Sequence, residues 1–151
     1  MDYYQGVVTE YLRANRAIFV NTECLIQLEP GDAPAKGKHW YCDAIAVNLR
    51  EKAAYLCEIT YSKSLNALVQ RLNNWSSHWP LIRIALSRDC AIPAEWHVQP
   101  RIFIPEDLRK TFDAKFLKFW DPTPFQMPQP IVTDLETVVP WTYRTWDRQD
   151  S

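Results

Sequence analysis

Two apolar stretches joined by a short polar turn, each holding one acid, constrain this chain more than any other feature. Residues 40–48 read WYCDAIAVN, the turn is LREK, and the chain returns as AAYLCEITY. Such a pattern predicts a β-hairpin. Leu56, Cys57, Ile59 and Tyr61 are mostly apolar on both faces, as expected of a central strand covered on both sides. A charge in such a strand is costly unless it is paired. Asp43 lies in the first strand and Glu58 in the second. With the turn centred near Arg50 and Glu51, they fall opposite each other, and their carboxylates come close enough to share a cation. The plainer alternative is an acid in an ordinary salt bridge; the apolar surroundings favour a functional one.

The rest of the chain predicts helices around a sheet. Residues 2–16 place Tyr4, Val7, Val8, Tyr11 and Leu12 at helical spacing. Residues 17–28 read as extended, and PGDAPAKGK as a loop. After the hairpin, Ser62 or Ser64 is expected to cap a helix. Its apolar stripe is Leu65, Leu68, Val69, Leu72 and Trp75. Its polar face is Asn66, Gln70, Arg71, Asn73 and Asn74, and Pro80 lies beyond its end. Residues 81–87 (LIRIALS) read as a short buried strand and 101–104 (RIFI) as another. Pro105, Glu106 and Asp107 suit the first turn of a helix carrying Leu108, Phe112, Phe116 and Phe119. The following DPTPFQMPQP is too proline-rich for regular structure. The last segment adds a strand or wraps the domain, with Trp141 and Trp146 pinning it. The fold class is α/β, a mixed central sheet flanked by helices. Residues 1–120 form the core, and 121–151 a Pro/Trp-rich extension packed on it.

Composition removes several functions. The 151 residues suit one domain. The start, MDYYQGVVTEYLRANRA, has early acids and no continuous apolar stretch, unlike a secretory leader. No apolar run approaches the roughly 20 residues that span a bilayer. The expected location is the cytoplasm, without a membrane partner. Of the four cysteines, no two stand at zinc-binding C-x-x-C spacing, so they are expected to be reduced and mostly buried. Three glycines leave no room for a nucleotide-binding loop. The net charge of −1 is no signature of a general nucleic-acid binder. Yet residues 62–88 contain no acid, while Lys63, Arg71, Arg83 and Arg88 are basic. That patch could meet a polyanion.

Two neighbouring carboxylates repel, and a divalent cation removes the repulsion. Mg²⁺ takes oxygen ligands and keeps several waters, so Asp43, Glu58 and the backbone carbonyl of Ile59 would suffice with a substrate phosphate. Such a metal polarises a phosphodiester and lowers the pKa of an attacking water.

Asp43 in YCDAIAV, Glu58 in CEITYSKS and the helix SLNALVQRLNNW, in this order, resemble the PD-(D/E)XK nuclease family, over roughly residues 3–87. The resemblance implies a restriction-endonuclease-like αβββαβ core in which Asp43 and Glu58 bind Mg²⁺ or Mn²⁺. It gives Glu10, on the first helix, a comparable place to an acid found there in many members. The family's lysine, two residues after the second acid, is replaced by Thr60. Lys63, three residues further, could reach back and supply the charge. Cys42 stands where the family has proline. Gln70, Arg71 and Asn74 would face the nucleic acid, since amides and guanidinium groups contact phosphates and base edges.

Three functions follow as expectations. The first is a metal-dependent nuclease or nuclease-like protein acting on nucleic acid, DNA before RNA. The second is an inactive descendant that binds nucleic acid or a protein partner, favoured by Thr60. The third is an unrelated interaction protein whose tail docks on a partner. A homodimer is compatible with the first.

Overall fold

The computed structural model describes residues 2–31, 37–121 and 127–144. Helix α1 (Tyr3–Arg13) leads into β1 (Ile18–Gln27), β2 (His39–Asn48) and β3 (Ala53–Ile59). Helices α2 (Asn66–Ser77) and α3 (Trp79–Cys90) follow, then β4 (His97–Ile104), α4 (Arg109–Phe116) and β5 (Ile131–Asp134). One sheet holds the strands in the order β1-β2-β3-β4-β5. The first three pair antiparallel, and β4 and β5 are added in parallel. The architecture is therefore α/β with a mixed sheet. Among the described residues no helix is long and apolar enough to cross a membrane.

Each face of the sheet has its own core. Leu72, Trp75, Ile82, Leu86, Phe112 and Phe116, from α2, α3 and α4, pack on one side against Leu56 and Ile102. Val8 and Leu12 of α1 cover the other side with Leu135 and Val138, against Cys57, Ile59 and Phe103. Burial on both sides explains why β3 reads as almost continuously apolar.

Strands β1 and β2 change sides at one rung. In β2, Cys42 belongs to the first core, whereas Ala44 and Ala46 belong to the second. In β1, Cys24 and Ile26 belong to the first, whereas Ile18 and Val20 pack on the second. Residues of equal parity in a regular strand share a face, so each strand contains a reversal. The register passes from Thr22–Ala44 to Cys24–Cys42, skipping Glu23 and Asp43. Glu23 has a left-handed φ of 52°, which reorients β1 there.

Three sequence expectations need correction. Residues 81–87 are helical, within α3, and not a strand. Pro80 lies past the end of α2, as expected, and also opens α3; a proline lacks only an N–H that the first turn leaves unused. Trp79, Ile82, Ala85 and Leu86 then face the core at helical spacing. Neither Ser62 nor Ser64 caps α2: its N-cap is Leu65, without a side-chain cap bond. Trp141 is 79% exposed and pins nothing, and Trp146 lies outside the described residues. The anchoring is done by Trp120, whose Nε1 donates to the Met127 carbonyl at 3.1 Å and whose ring stacks on Phe116. The described part of residues 121–151 adds β5 to the sheet and the buried Met127, Leu135 and Val138 to the cores.

Candidate active site

The β2–β3 ladder fixes where the two acids meet. Asn48 faces Ala53 and Ala44 faces Cys57. Asp43 and Glu58 are the next positions along, at the open end of the hairpin. The skipped rung leaves the Asp43 N–H available to a side chain, and the Glu58 carboxylate takes it, with Oε2 accepting at 3.0 Å. The Asp43 carboxylate in turn accepts the Ile59 N–H through Oδ2 at 2.9 Å. Each acid thus holds the backbone beside the other.

The remaining oxygens reach the helices on either face. Asp43 Oδ1 accepts from the side-chain amide of Gln5, on α1, at 3.0 Å. Glu58 Oε1 accepts from Nη1 of Arg71, on α2, at 2.5 Å. The same Nη1 donates to the Tyr41 carbonyl at 2.9 Å. Charge-assisted bonds of this kind are the short, strong ones.

The electrostatics are unbalanced. Glu58 is 4% exposed and Asp43 half-buried, two carboxylates against one guanidinium. Burial, then the charge of Asp43, push the Glu58 carboxyl up to about 8, with Arg71 pulling the other way. Such a shift in a cleft marks a candidate functional group.

Asp43, Glu58, Ile59, Thr60, Ser64 and Arg71 line a cavity of about 210 Å³ beside the acids. The Thr60 hydroxyl oxygen accepts the Ser62 N–H at 3.2 Å, which leaves its own proton free to donate. The N–H and C=O of one strand residue leave the same side of the strand. The Ile59 N–H meets Asp43, so its carbonyl is directed to that side too; the Thr60 N–H goes the opposite way, to Phe103 of β4.

Other expected residues stand apart. Glu10 is exposed and ion-paired with Arg13 on the same helix, at 3.6 Å. Its place on α1 is taken by Gln5, one turn before the buried pair Val8 and Thr9. Gln5 also completes the capping box with Asp2, so a D-x-x-Q start followed by the Val8–Leu12 stripe is the signal that could have found it. Lys63 is exposed and lines a neighbouring cavity of about 350 Å³ with Tyr4 and Tyr61, whose rings lie 4.3 Å apart. Gln70 is exposed on α2, while the Asn74 carbonyl lies 2.9 Å from Nδ1 of His78. Arg71, expected to meet nucleic acid, is bonded to Glu58.

No protein-family model matches the chain, and no curated protein or solved structure matches it either. The chemistry of the site therefore stands on its own geometry.

Among the described residues no three of His, Cys, Asp and Glu converge on a point. A cation here would have two carboxylates, with the Ile59 carbonyl, water and phosphate completing its shell. That donor set suits Mg²⁺ or Mn²⁺, hard ions that keep water, and not Zn²⁺. Burial and the charge of Asp43, which raise the Glu58 carboxyl, are what a bound cation would offset. Each carboxylate oxygen has one bond from a protein donor and a second lone pair to offer.

Proposed function

We propose that the cavity at the open end of the β2–β3 hairpin is a divalent-metal site for phosphodiester hydrolysis, in a restriction-endonuclease-like core. The observation that carries this is the reciprocal placement of Asp43 and Glu58, a half-buried and a buried acid, with the Arg71 guanidinium bonded to Glu58. The order α1, three antiparallel strands, two helices and a parallel strand supports the same family. Asp43, Glu58 and the Ile59 carbonyl would hold Mg²⁺ or Mn²⁺. When bound, the ion supplies Lewis acidity to the phosphate and to an attacking water. The substrate is nucleic acid, DNA before RNA, and the location cytoplasmic.

The protein's own groups have separate tasks. Asp43 and Glu58 provide negative charge at fixed positions. Gln5 holds Asp43 from one face of the sheet. Arg71 supplies the positive charge that Thr60 lacks, because it is bonded to Glu58. Lys63 faces the neighbouring cavity, where it could meet a phosphate further along the strand. Thr60 donates its hydroxyl proton to water in the cavity. Oriented charge of this kind contributes through positioning rather than covalent chemistry.

A second reading has an observation in its favour. Arg71 spans Glu58 and the Tyr41 carbonyl, which partly neutralises the acids without a metal. That suits an inactive module binding nucleic acid or a protein partner. Cleavage of a panel of DNA and RNA substrates with Mn²⁺ or Mg²⁺, wild type beside Glu58→Ala, separates the two. Metal-dependent cutting lost in Glu58→Ala is the expected result. No cutting by wild type on any substrate would overturn the hydrolytic function.

A further inference from the structure

We propose that Arg101 is the centre of an anion site, at the turn end of the hairpin, that takes a small phosphate-bearing ligand. The proposal is independent of the acid site, which lies at the hairpin's other end.

Arg101 stands where a cation is costly. It lies on β4, with Cys57 of β3 on one side and Ile131 of β5 on the other. Residues of equal parity share a face, so its side chain leaves the sheet beside Phe103, on the side covered by α1. A charge on such a face needs a partner. Arg13, Arg71, Arg88 and Arg109 each hold a carboxylate. Arg101 has none among the described residues. Its guanidinium carbon lies 4.9 Å from the ring centre of Phe103 and 5.8 Å from that of Tyr11. Its Nε is enclosed without a hydrogen-bond partner. Ring faces attract the charge, but they do not accept its N–H donors as an oxygen does.

The half-buried guanidinium lines a cavity of about 310 Å³, at the small end for a ligand pocket. Leu12 and Ile18 give the cavity an apolar part. Asn15 lines it too, and its Oδ1 accepts the Ala17 N–H at 2.9 Å, which leaves its NH2 group to donate. Exposed Arg144 brings a second guanidinium. Glu51, the acid in the wall, accepts from the Asn48 amide and the Tyr55 hydroxyl and is held at the turn.

Arg101, Asn15 and Arg144 belong to separate segments: a strand, the connection after α1 and the stretch after β5. Donors from separate segments reach a ligand from different directions. That suits a tetrahedral phosphate, whose oxygens leave any one plane. A planar carboxylate is satisfied by one guanidinium fork alone.

The full chain, in a chloride buffer free of oxyanions and divalent metal, is titrated with inorganic phosphate, AMP or acetate. Melting temperature and 1H–15N spectra are followed. Inorganic phosphate should bind saturably, raise the melting temperature, and shift the signals of Tyr11, Leu12, Asn15 and the Arg101 Nε–H. Acetate should bind more weakly. AMP bound more tightly than phosphate would identify a nucleotide whose ring adds contacts; equal affinity would mean that the phosphate group alone is read. Arg101→Met, which keeps the apolar stem, should weaken phosphate binding by at least about ten-fold, and Arg101→Lys only in part. No saturable shift in the wild type, acetate bound as tightly as phosphate, an unchanged affinity in Arg101→Met, or shifts centred on Arg71, Arg83 and Arg88 would overturn the proposal. The wild-type spectra decide even if a variant fails to fold.

Discussion

The β2–β3 hairpin carries a glutamate network at each end, and the two differ in kind. At the turn, Asn48 accepts the N–H groups of Arg50 and Glu51 at 3.1 and 3.0 Å, and Glu51 accepts from the Asn48 amide and the Tyr55 hydroxyl. Glu51 is exposed and serves the turn. At the open end, Glu58 is buried, faces Asp43 and depends on one arginine. Both ends are fully hydrogen-bonded, so satisfied bonds do not distinguish a functional carboxylate from a structural one. The imbalance of buried charge does.

The largest effect should come from removing the arginine. Arg71→Ala leaves Glu58 with no cation, and urea denaturation at about pH 10, where the wild-type Glu58 is ionised, should show a loss of about 2–3 kcal/mol, below a fully buried pair because the guanidinium is partly exposed. Near pH 5 the loss should shrink, since Glu58 then takes a proton. An equal loss at both pH values would assign Arg71 a packing role instead.

The second effect is a pH dependence. The Glu58 carboxyl titrates at about 8 in the fold against an ordinary 4.5, so the fold holds its proton more tightly than the unfolded chain. That contribution is fully present below 4.5 and is lost as the pH rises through 8. Between about pH 5 and pH 9 the wild type should lose on the order of a few kcal/mol relative to Glu58→Gln, which carries no such proton. Millimolar Mn²⁺ or Mg²⁺ should restore melting temperature at the alkaline end in wild type and leave Glu58→Gln unchanged. A wild-type profile parallel to that of Glu58→Gln would remove the buried charge from the account.

Gln5→Ala comes next. It removes a bond to an ionised carboxylate and one side of the capping box, for a loss of about 1–2 kcal/mol by chemical denaturation. The smallest effect belongs to the turn, where Glu51→Gln should cost under about 1 kcal/mol and show no pH profile near neutrality. A Glu51 effect as large as that of Glu58 would dissolve the distinction between the two ends.

The acid pair was legible in the sequence because the hairpin's turn fixes its register, and an acid in an apolar strand stands out. α1 and α2 followed from periodicity. Residues 81–87 were not legible as helix, because a short apolar run fits either a buried strand or one side of a helix. Arg71 was assigned to the right helix and face, but its partner depends on how deeply that face sits over the sheet, which periodicity does not report. Glu10 was chosen by the resemblance, as an acid on the first helix, and Lys63 as a displaced stand-in for the family's lysine. The structure selects the uncharged Gln5 by its position over the sheet, and leaves Lys63 in the connection between β3 and α2. The reversal in β1 and β2 had no visible signal: Glu23 is an ordinary residue in an extended stretch, and its left-handed φ appears only in the fold.

That reversal has a consequence for descent. A strand that lost or gained one residue would present its whole remaining length to the wrong side of the sheet. Here β1 and β2 are already out of phase with themselves, and in step with each other, so neither could shed its irregularity without its neighbour. Inherited length changes would be confined to the connections, the segment between β1 and β2 and the tight turn at Leu49–Lys52. Both lie away from the rung of Asp43, so drift in the connections would leave the acid's address unchanged.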